Sequence, residues 1–86
     1  MLTYLIDEDK ISLYLTEHVL RIEGFSTNIV SFLEAEKALA FLLHHINTEL
    51  PKVIFLDLNM PVMNGWDFLE ALEPYQPALL GRCRIY

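Results

Sequence analysis

This chain of 86 residues is poor in cysteine, glycine and basic side chains, and each shortage excludes a class of protein. Its single cysteine, Cys83, rules out an internal disulfide and fits a reducing compartment. The only three glycines, Gly24, Gly65 and Gly81, form no glycine-rich phosphate loop. No apolar run is long enough to cross a bilayer, and the first run starts too close to Met1 for a signal peptide. We therefore expect a cytoplasmic protein that does not contact a membrane.

The charge balance argues against binding to polyanions. Six Lys and Arg residues stand against twelve Asp and Glu residues, which gives a net charge of -6. Nucleic acids and anionic membranes are bound by clustered basic residues. Here the basic residues are scattered, apart from one pair near the last residue: Lys10, Arg21, Lys37, Lys52, Arg82 and Arg84. We expect no direct contact with nucleic acid. The 53% share of hydrophobic residues indicates one small globular domain with a core.

Short apolar runs alternate with segments of helical periodicity along the chain. Runs at 2–6, 25–32 and 53–56 are typical of buried strands, and residues 82–86 have the pattern of a fourth strand at its start. This alternation predicts an α/β fold with a parallel sheet and helices on both faces. If the first strand lies between the second and the third, the carboxyl ends of strands one and three form the crevice at the switch point.

Three segments between these strands are predicted to be helices. Their apolar stripes are Ile11, Leu15, Val19 and Ile22, then Ala35, Leu39, Leu42 and Ile46, then Trp66, Leu69 and Leu72. Asp9 is predicted to cap the first helix and Gly24 to end it. Pro74 and Pro77 are predicted to end the third helix. We also place Trp66 in the core.

Carboxylates follow two of the predicted strands at the point where each strand ends. Asp7 and Glu8 follow the first strand, and Asp57 follows the third. Because the strands are parallel neighbours, these three acids are expected to meet in one crevice. Such a set repels itself unless a cation compensates, and Mg²⁺ binds carboxylate oxygens together with several waters. An Asp beside a metal can attack phosphorus and form an aspartyl-phosphate.

Each acidic segment also has a purely structural interpretation. Acids that follow a strand often cap a helix or lie in a solvated turn, which would account for residues 7–9. Asp57 could likewise be a turn residue, with Asn59 and Pro61 as ordinary turn formers. The occurrence of both segments at matching places in one βαβαβ pattern favours a site.

At these positions the chain resembles the receiver domain of two-component response regulators. The resemblance is carried by Asp7-Glu8-Asp9 after the first strand and by Asp57-Leu58-Asn59-Met60-Pro61-Val62-Met63-Asn64-Gly65 after the third. It implies the flavodoxin-like fold, a doubly wound parallel (βα)₅ sheet. Residues 1–86 would form the N-terminal two-thirds of that domain, with three strand–helix pairs and the start of strand four.

The resemblance implies a role for each residue of the acidic site. Asp57 would be the phospho-acceptor, and Glu8 stands where an Asp is usual. Mg²⁺ would be held by Asp7, Glu8, Asp57 and the backbone carbonyl of Asn59. The phosphoryl group would come from a phosphohistidine on a sensor histidine kinase or a histidine phosphotransfer protein. The chain would then be a signalling module and not an enzyme.

The resemblance ends before two further residues of the family pattern. Receiver domains have a Ser or Thr after strand four and a Lys after strand five, and the chain stops at Tyr86, inside the expected fourth strand. An incomplete sheet has an open edge, and open edges pair with other chains. We therefore expect the isolated 86-residue chain to be unstable, aggregated or held in a homodimer, and to fail as a switch.

Two other functions fit parts of the pattern. A degenerate receiver used only for protein–protein contact would fit the missing end, whereas the intact acids argue against lost chemistry. An aspartyl-nucleophile phosphohydrolase of the haloacid-dehalogenase type has a second Asp two residues after the nucleophile. This chain has Asn59 at that position, and an amide cannot shuttle a proton as a carboxylate does.

Overall fold

A computed structural model describes residues 2–25, 28–57, 60, 62–79 and 81–86. Its strands are β1 (Leu2–Ile6), β2 (Asn28–Phe32), β3 (Val53–Leu56) and β4 (Arg84–Ile85). Its helices are α1 (Lys10–Ile22), α2 (Ala35–His44), α3 (Gly65–Leu72) and α4 (Gln76–Leu79), with a 3₁₀ turn at Glu73–Tyr75. The described strands form one parallel sheet in the order β2-β1-β3-β4, which confirms the predicted position of β1 between β2 and β3.

The register of the two ladders that join β1 to β2 and to β3 determines which residues stand at the carboxyl edge of the sheet. Ile6 pairs with Phe32 of β2 on one side and with Leu56 of β3 on the other. The amide of Asp7 donates to the Phe32 carbonyl at 3.1 Å, and the amide of Asp57 donates to the Ile6 carbonyl at 2.9 Å. Asp7 and Asp57 are therefore the first residues beyond two neighbouring strand ends.

Strand β1 is covered on both faces, because all five of its residues are buried. Tyr4 and Ile6 belong to the main core together with residues of α2 and α3. Leu5 instead lines a cleft with Leu13 of α1. Since successive side chains of a strand point to opposite faces, α1 covers one face and α2 with α3 covers the other. This is the doubly wound arrangement that the alternation predicted.

The main core lies between the sheet, α2 and α3. It contains Leu2, Tyr4, Ile6, Ala35, Ala38, Leu42, Ile54, Met60, Phe68, Leu72 and Leu79. The two alanines let α2 approach the strands closely. Edge-to-face contacts join the Tyr4 ring to Phe32 at 5.3 Å and to Phe41 at 5.8 Å between ring centroids. Such aromatic pairs add to the stabilisation that burial alone provides.

Helix α1 begins and ends as predicted. The Asp9 side chain caps its first turn by accepting a hydrogen bond from the Ile11 amide at 2.9 Å. Gly24 follows the helix with a φ of 69°, in the left-handed region where glycine has no steric penalty. The Gly24 amide donates back to the Arg21 carbonyl at 3.1 Å. Polar groups at both ends of α1 are thus satisfied locally.

The side of α1 that faces the sheet differs from the predicted one. Leu13 is buried and Leu20 is half-buried, and these residues lie seven positions apart on the same side. The predicted stripe is exposed to solvent at all four positions: Ile11, Leu15, Val19 and Ile22. Apolar residues occupy two sides of this helix, so periodicity identified the helix but not its orientation.

The prediction that prolines end the third helix is only partly right. Helix α3 begins at a capping box, in which Asn64 and Asp67 each accept a hydrogen bond from the other's amide. It ends at Leu72, but helical turns continue with Pro74 in the 3₁₀ turn and Pro77 in α4. Proline is tolerated there because the first turn of a helix has no partner for its amide anyway.

The placement of Trp66 in the core was wrong. Its side chain is 63% exposed, whereas Phe68, two positions further along α3, is fully buried. Residues two apart in a helix lie on different sides, so only one of these aromatic rings can reach the core. The buried side of α3 contains Phe68 and Leu72.

Two predicted elements are shorter than expected. Strand β2 begins at Asn28, and Phe25 lies in a bend before it; residues 26 and 27 are outside the described part of the chain. Helix α2 ends at His44, which leaves Ile46 in the following turn. The ring Nδ1 of His45 lies 2.8 Å from the Phe41 carbonyl and occupies one of the last acceptors of the helix.

We predict that Phe68→Ala costs about 3–5 kcal/mol of unfolding free energy, because it leaves a cavity in the core. Trp66→Ala on the same helix should cost less than about 1 kcal/mol, since its ring is largely exposed. Urea unfolding followed by circular dichroism measures both. If Phe68→Ala does not fold, Phe68→Leu should still give a readable, lowered midpoint. Equal losses at positions 66 and 68 would contradict the described orientation of α3.

We predict that Tyr4→Phe leaves stability at neutral pH unchanged or raises it. The Tyr4 hydroxyl is buried and has no hydrogen-bond partner among the described residues, so its removal relieves a desolvation cost. Burial raises the pKa of Tyr4 from 10.0 to about 12, with smaller contributions from Cys83 and Glu49. Folding therefore favours the protonated phenol. Its contribution to stability is complete below a pH of about 10 and is lost as the pH rises towards about 12.

Urea midpoints measured from neutral pH into this alkaline range test the Tyr4 prediction. Wild type should lose more stability there than Tyr4→Phe does. The matched control Tyr86→Phe removes an exposed phenol and should keep the wild-type profile. A loss of more than about 1 kcal/mol in Tyr4→Phe at neutral pH would show that the hydroxyl has a favourable partner.

Candidate functional site

A cleft of about 580 Å³ opens at the carboxyl edge of the sheet, between the ends of β1 and β3 and the first turns of α1. Its acidic lining consists of Asp7, Glu8, Asp9 and Asp57. The structure therefore brings the three predicted acids, at positions 7, 8 and 57, into one cavity. The position matches the rule that open parallel sheets bind ligands outside the carboxyl ends of strands at a switch point.

The carboxyl groups of Asp7 and Asp57 are in contact. Burial in the cleft raises the pKa of Asp7 above its usual value, and the charge and hydrogen bond of the Asp57 side chain raise it further. The Asp9 amide, which donates to Asp7 Oδ1 at 3.0 Å, acts in the opposite direction. Two half-buried carboxyl groups that share one hydrogen bond are an unfavourable pair when both are ionised. This part of the cleft favours a cation.

Asp9 has a different role from Asp7 and Asp57. Its carboxylate accepts hydrogen bonds from the Ile11 amide at 2.9 Å and from the Ser12 hydroxyl at 3.2 Å. Both carboxylate oxygens of Asp9 therefore bind groups in the first turn of α1. This confirms the prediction that Asp9 caps this helix. The amide of Asp9 holds Asp7 in place at the same time. Asp9 orients the acidic pair and positions the helix against it.

Glu8 lies at the border of the cleft. Its side chain is exposed and lines both this cleft and a neighbouring cavity of about 210 Å³. Among the described residues, no group of three or more Asp, Glu, His or Cys side chains is close enough to hold one metal ion. Asn59 and Pro61, which the family resemblance implicates, lie outside the described residues. The ligand set of Asp7, Glu8, Asp57 and Asn59 stays a prediction.

The residues of the cleft fit a hard divalent cation. Carboxylate oxygens are the ligands that Mg²⁺ prefers, and one or two of them with several waters are sufficient. The contact between Asp7 and Asp57 places two such groups side by side, and none of the described residues that line the cleft is a Lys or an Arg. Glu8 is exposed at the rim of the same cleft.

Sequence reasoning missed the walls of the cleft. One wall consists of Ser12 and Thr16, which follow the cap residue Asp9 at helical spacing and so lie on one side of α1. The other wall is aromatic: Phe55 of β3 stacks on Tyr86 with ring centroids 5.8 Å apart. Ser12 and Thr16 could have been found from helical spacing, and Phe55 from strand alternation, because Phe55 lies two residues before Asp57 and points to the same face of the sheet.

No helix in the ranges that the structure covers has the length and apolar character needed to cross a membrane.

One family model matches the chain: that of the response regulator receiver domain, over residues 3–80. This match spans nearly the whole chain and includes both acidic segments. No curated protein sequence matches the chain closely enough to count as a relative.

Several solved structures have the same fold, and their chains are longer than this one. A response regulator receiver protein from Dyadobacter fermentans has 27% identity and a TM-score of 0.78, with 100% of this chain and 66% of that chain covered. The chemotaxis protein CheY4 of Vibrio cholerae has 21% identity and a TM-score of 0.75, with 98% and 65% covered. The receiver domain of the histidine kinase CKI1 from Arabidopsis thaliana, complexed with Mg²⁺ and BeF₃⁻, has 17% identity and a TM-score of 0.83, with 98% and 62% covered.

This chain thus spans less than two thirds of the length of each of these structures. Their common fold agrees with the parallel sheet and the flanking helices described above. The family match, which covers residues 3–80, includes the strand ends that carry Asp7 and Asp57. The chain belongs to the response regulator receiver domain family.

Proposed function

We propose that this protein is a phospho-acceptor module of a two-component signalling system, and that Asp57 accepts the phosphoryl group. The observation that carries this proposal is the contact between the Asp7 and Asp57 carboxyl groups in an open cleft at the switch point. Asp57 lies directly after a strand whose register is fixed by β1. Its backbone is therefore positioned by the sheet, through the amide that donates to the Ile6 carbonyl, and a nucleophile that must meet an incoming phosphorus atom in line requires such positioning.

Mg²⁺ is the cofactor of this proposed reaction. Asp7, Glu8, Asp57 and the Asn59 carbonyl would hold it, and it would supply positive charge to offset the charge of the phosphoryl oxygens. The structure of the Arabidopsis thaliana CKI1 receiver domain with Mg²⁺ and BeF₃⁻ supports this assignment through the shared fold. A cation also removes the repulsion that an ionised Asp7 and an ionised Asp57 would otherwise have.

In the proposed reaction a carboxylate oxygen of Asp57 attacks the phosphorus of a phosphohistidine on a partner protein. The new O–P bond forms as the P–N bond breaks, and the imidazole nitrogen leaves with the electron pair of that bond. The histidine then takes a proton from solvent or keeps the one on its other nitrogen. Asp7 stays beside the reacting carboxylate, oriented by the Asp9 amide. The partner is a sensor histidine kinase or a histidine phosphotransfer protein, and this module does not itself turn over a substrate as an enzyme.

Two alternatives have less support. A phosphohydrolase of the aspartyl-nucleophile type needs a second carboxylate two residues after Asp57, and that position is Asn59. A receiver used only for protein contact has no need of acids in contact with each other, which cost stability. The open acidic cleft therefore favours phosphoryl transfer over both.

We predict that acetyl phosphate with Mg²⁺ adds one phosphoryl group to this protein and that Asp57→Asn abolishes the addition. Intact-mass spectrometry measures the added group. Hydroxylamine should remove it, because an acyl phosphate is labile where a phosphoserine is stable. Asp67→Asn is the matched control, since it makes the same charge change in the exposed capping box of α3, outside the cleft. Equal labelling of Asp57→Asn and wild type would overturn the assignment.

We predict that Mg²⁺ binds in the cleft and that Asp7→Asn weakens this binding by at least about tenfold, or about 1.4 kcal/mol. Loss of one of few carboxylate ligands removes both a bond and a charge. Isothermal titration calorimetry measures the affinity of each variant. Glu70→Gln on the exposed side of α3 removes the same charge elsewhere and should bind as wild type does. Glu8→Gln tests whether Glu8 is a ligand as well. Unchanged Mg²⁺ affinity in this variant would remove Glu8 from the proposed ligand set.

A further inference from the structure

A small polar cavity lies at the amino edge of the sheet, at the opposite end of the strands from the acidic cleft. Its volume is about 230 Å³, and its described lining consists of Ile46, Asn47, Thr48, Leu50, Lys52 and Arg82. Two basic residues that lie far apart in the sequence thus border one cavity. None of the described lining residues is an Asp or a Glu, although the whole chain has a net charge of -6.

The sheet brings these two basic residues together. The Lys52 amide donates to the Leu2 carbonyl at 2.9 Å, and the Lys52 carbonyl accepts from the Arg84 amide at 2.9 Å. Lys52 is therefore held between β1 and β4, just before β3 begins. The Arg82 amide donates to the Leu79 carbonyl at 3.0 Å, which fixes the turn that leads into β4. The backbone of the fold thus places both cations at one cavity.

Neither of these cations is neutralised within the part of the chain that the structure describes. Two other basic residues, Arg21 and Lys37, pair with glutamates at 3.5 Å and 3.6 Å. Lys52 and Arg82 form no ion pair with any described residue. Two like charges at one small cavity repel each other, and an anion bound between them replaces this repulsion with attraction.

The rest of the lining suits a small oxyanion. The side-chain amide of Asn47 has two N–H donors and forms no hydrogen bond with another described residue. The Thr48 hydroxyl donates to the His45 carbonyl at 3.2 Å, which orders the loop between α2 and β3. An Arg can bind two phosphate oxygens at once, and a Lys adds a compact charge. The volume lies below that of sites for drug-sized ligands, so the cavity fits a single phosphate group.

We propose that this cavity binds a phosphate-type oxyanion, either the free ion or a phosphomonoester group, through Lys52 and Arg82 with Asn47 as a further donor. The site is separate from the acidic cleft, because the two cavities share no described lining residue. The bound anion ties the loop before β3 to the turn before β4. Two exposed cations correspond to a dissociation constant on the order of 1–10 mM.

Nitrogen-15 NMR of the full chain in metal-free buffer tests this site, with inorganic phosphate and sodium chloride compared at equal ionic strength. Phosphate and not chloride should shift the amides of Asn47, Lys52 and Arg82, whereas the amide of Asp57 should stay in place. Lys52→Gln and Arg82→Gln should each raise the dissociation constant at least about fivefold. Arg84→Gln is the matched control, since it removes the same charge from an exposed residue outside the cavity. It should bind phosphate as wild type does, and circular dichroism confirms that each variant is folded.

A second titration with methyl phosphate identifies the form of the ligand. Binding of both compounds supports a phosphomonoester group as the ligand. Binding of inorganic phosphate alone supports the free ion, because the cavity then has no room for the ester carbon. Both results agree with the proposed site.

Three results would overturn the proposal. Shifts that are no larger with either phosphate compound than with chloride would show that water alone solvates the two cations, or that they serve an acidic segment of a partner protein. Equal phosphate affinity in wild type, Lys52→Gln and Arg82→Gln would place the binding elsewhere. Equal weakening by Arg84→Gln would show an effect of net charge alone. The experiment requires neither Mg²⁺ nor phosphorylation, so its failure leaves the proposed role of Asp57 untouched.

Discussion

The pairing of Ile6 with Leu56 is the constraint on which the site depends. Side chains alternate along a strand, so a shift of one residue in this ladder would turn Asp57 to another face and separate it from Asp7. Burial of β1 on both faces holds the register, because any slip would expose core residues such as Tyr4. The stability of the core and the geometry of the cleft therefore rest on the same contacts.

The acidic pair lowers the stability of this chain when both carboxyl groups are ionised. Asp7 and Asp57 touch in a partly buried cleft, and burial together with the neighbouring carboxyl group raises the pKa of Asp7. A residue that only packed at position 7 or 57 would not need a carboxyl group. The cap formed by Asp9 shows the contrast, since its acid is fully engaged in hydrogen bonds that begin α1. Neighbouring acids in one short segment thus have opposite energetic roles.

Much of the fold could be predicted because strands buried on both faces have a simple signature. The apolar run before Asp57 and the alternation of elements were enough to predict a parallel sheet, whereas the place of β1 between β2 and β3 was a condition of the argument that the family resemblance supplied. Orientation of helices could not be predicted where both sides are apolar, as in α1, or where two aromatic residues compete, as with Trp66 and Phe68 in α3. The contact between Asp7 and Asp57 was predictable from topology, whereas the aromatic wall at Tyr86 depends on a ladder between β3 and β4 that the sequence shows only as a short segment.

The central claim is that two parallel strand ends place the Asp7 and Asp57 carboxyl groups in contact. Carbon-13 NMR titration of the Asp7 carboxyl group in metal-free buffer measures this most directly, in wild type and in Asp57→Asn. The account predicts that the pKa of Asp7 lies above its usual value in wild type and falls in Asp57→Asn, because the neighbouring charge is gone. An Asp7 pKa that is the same in both proteins would show that the two carboxyl groups do not meet.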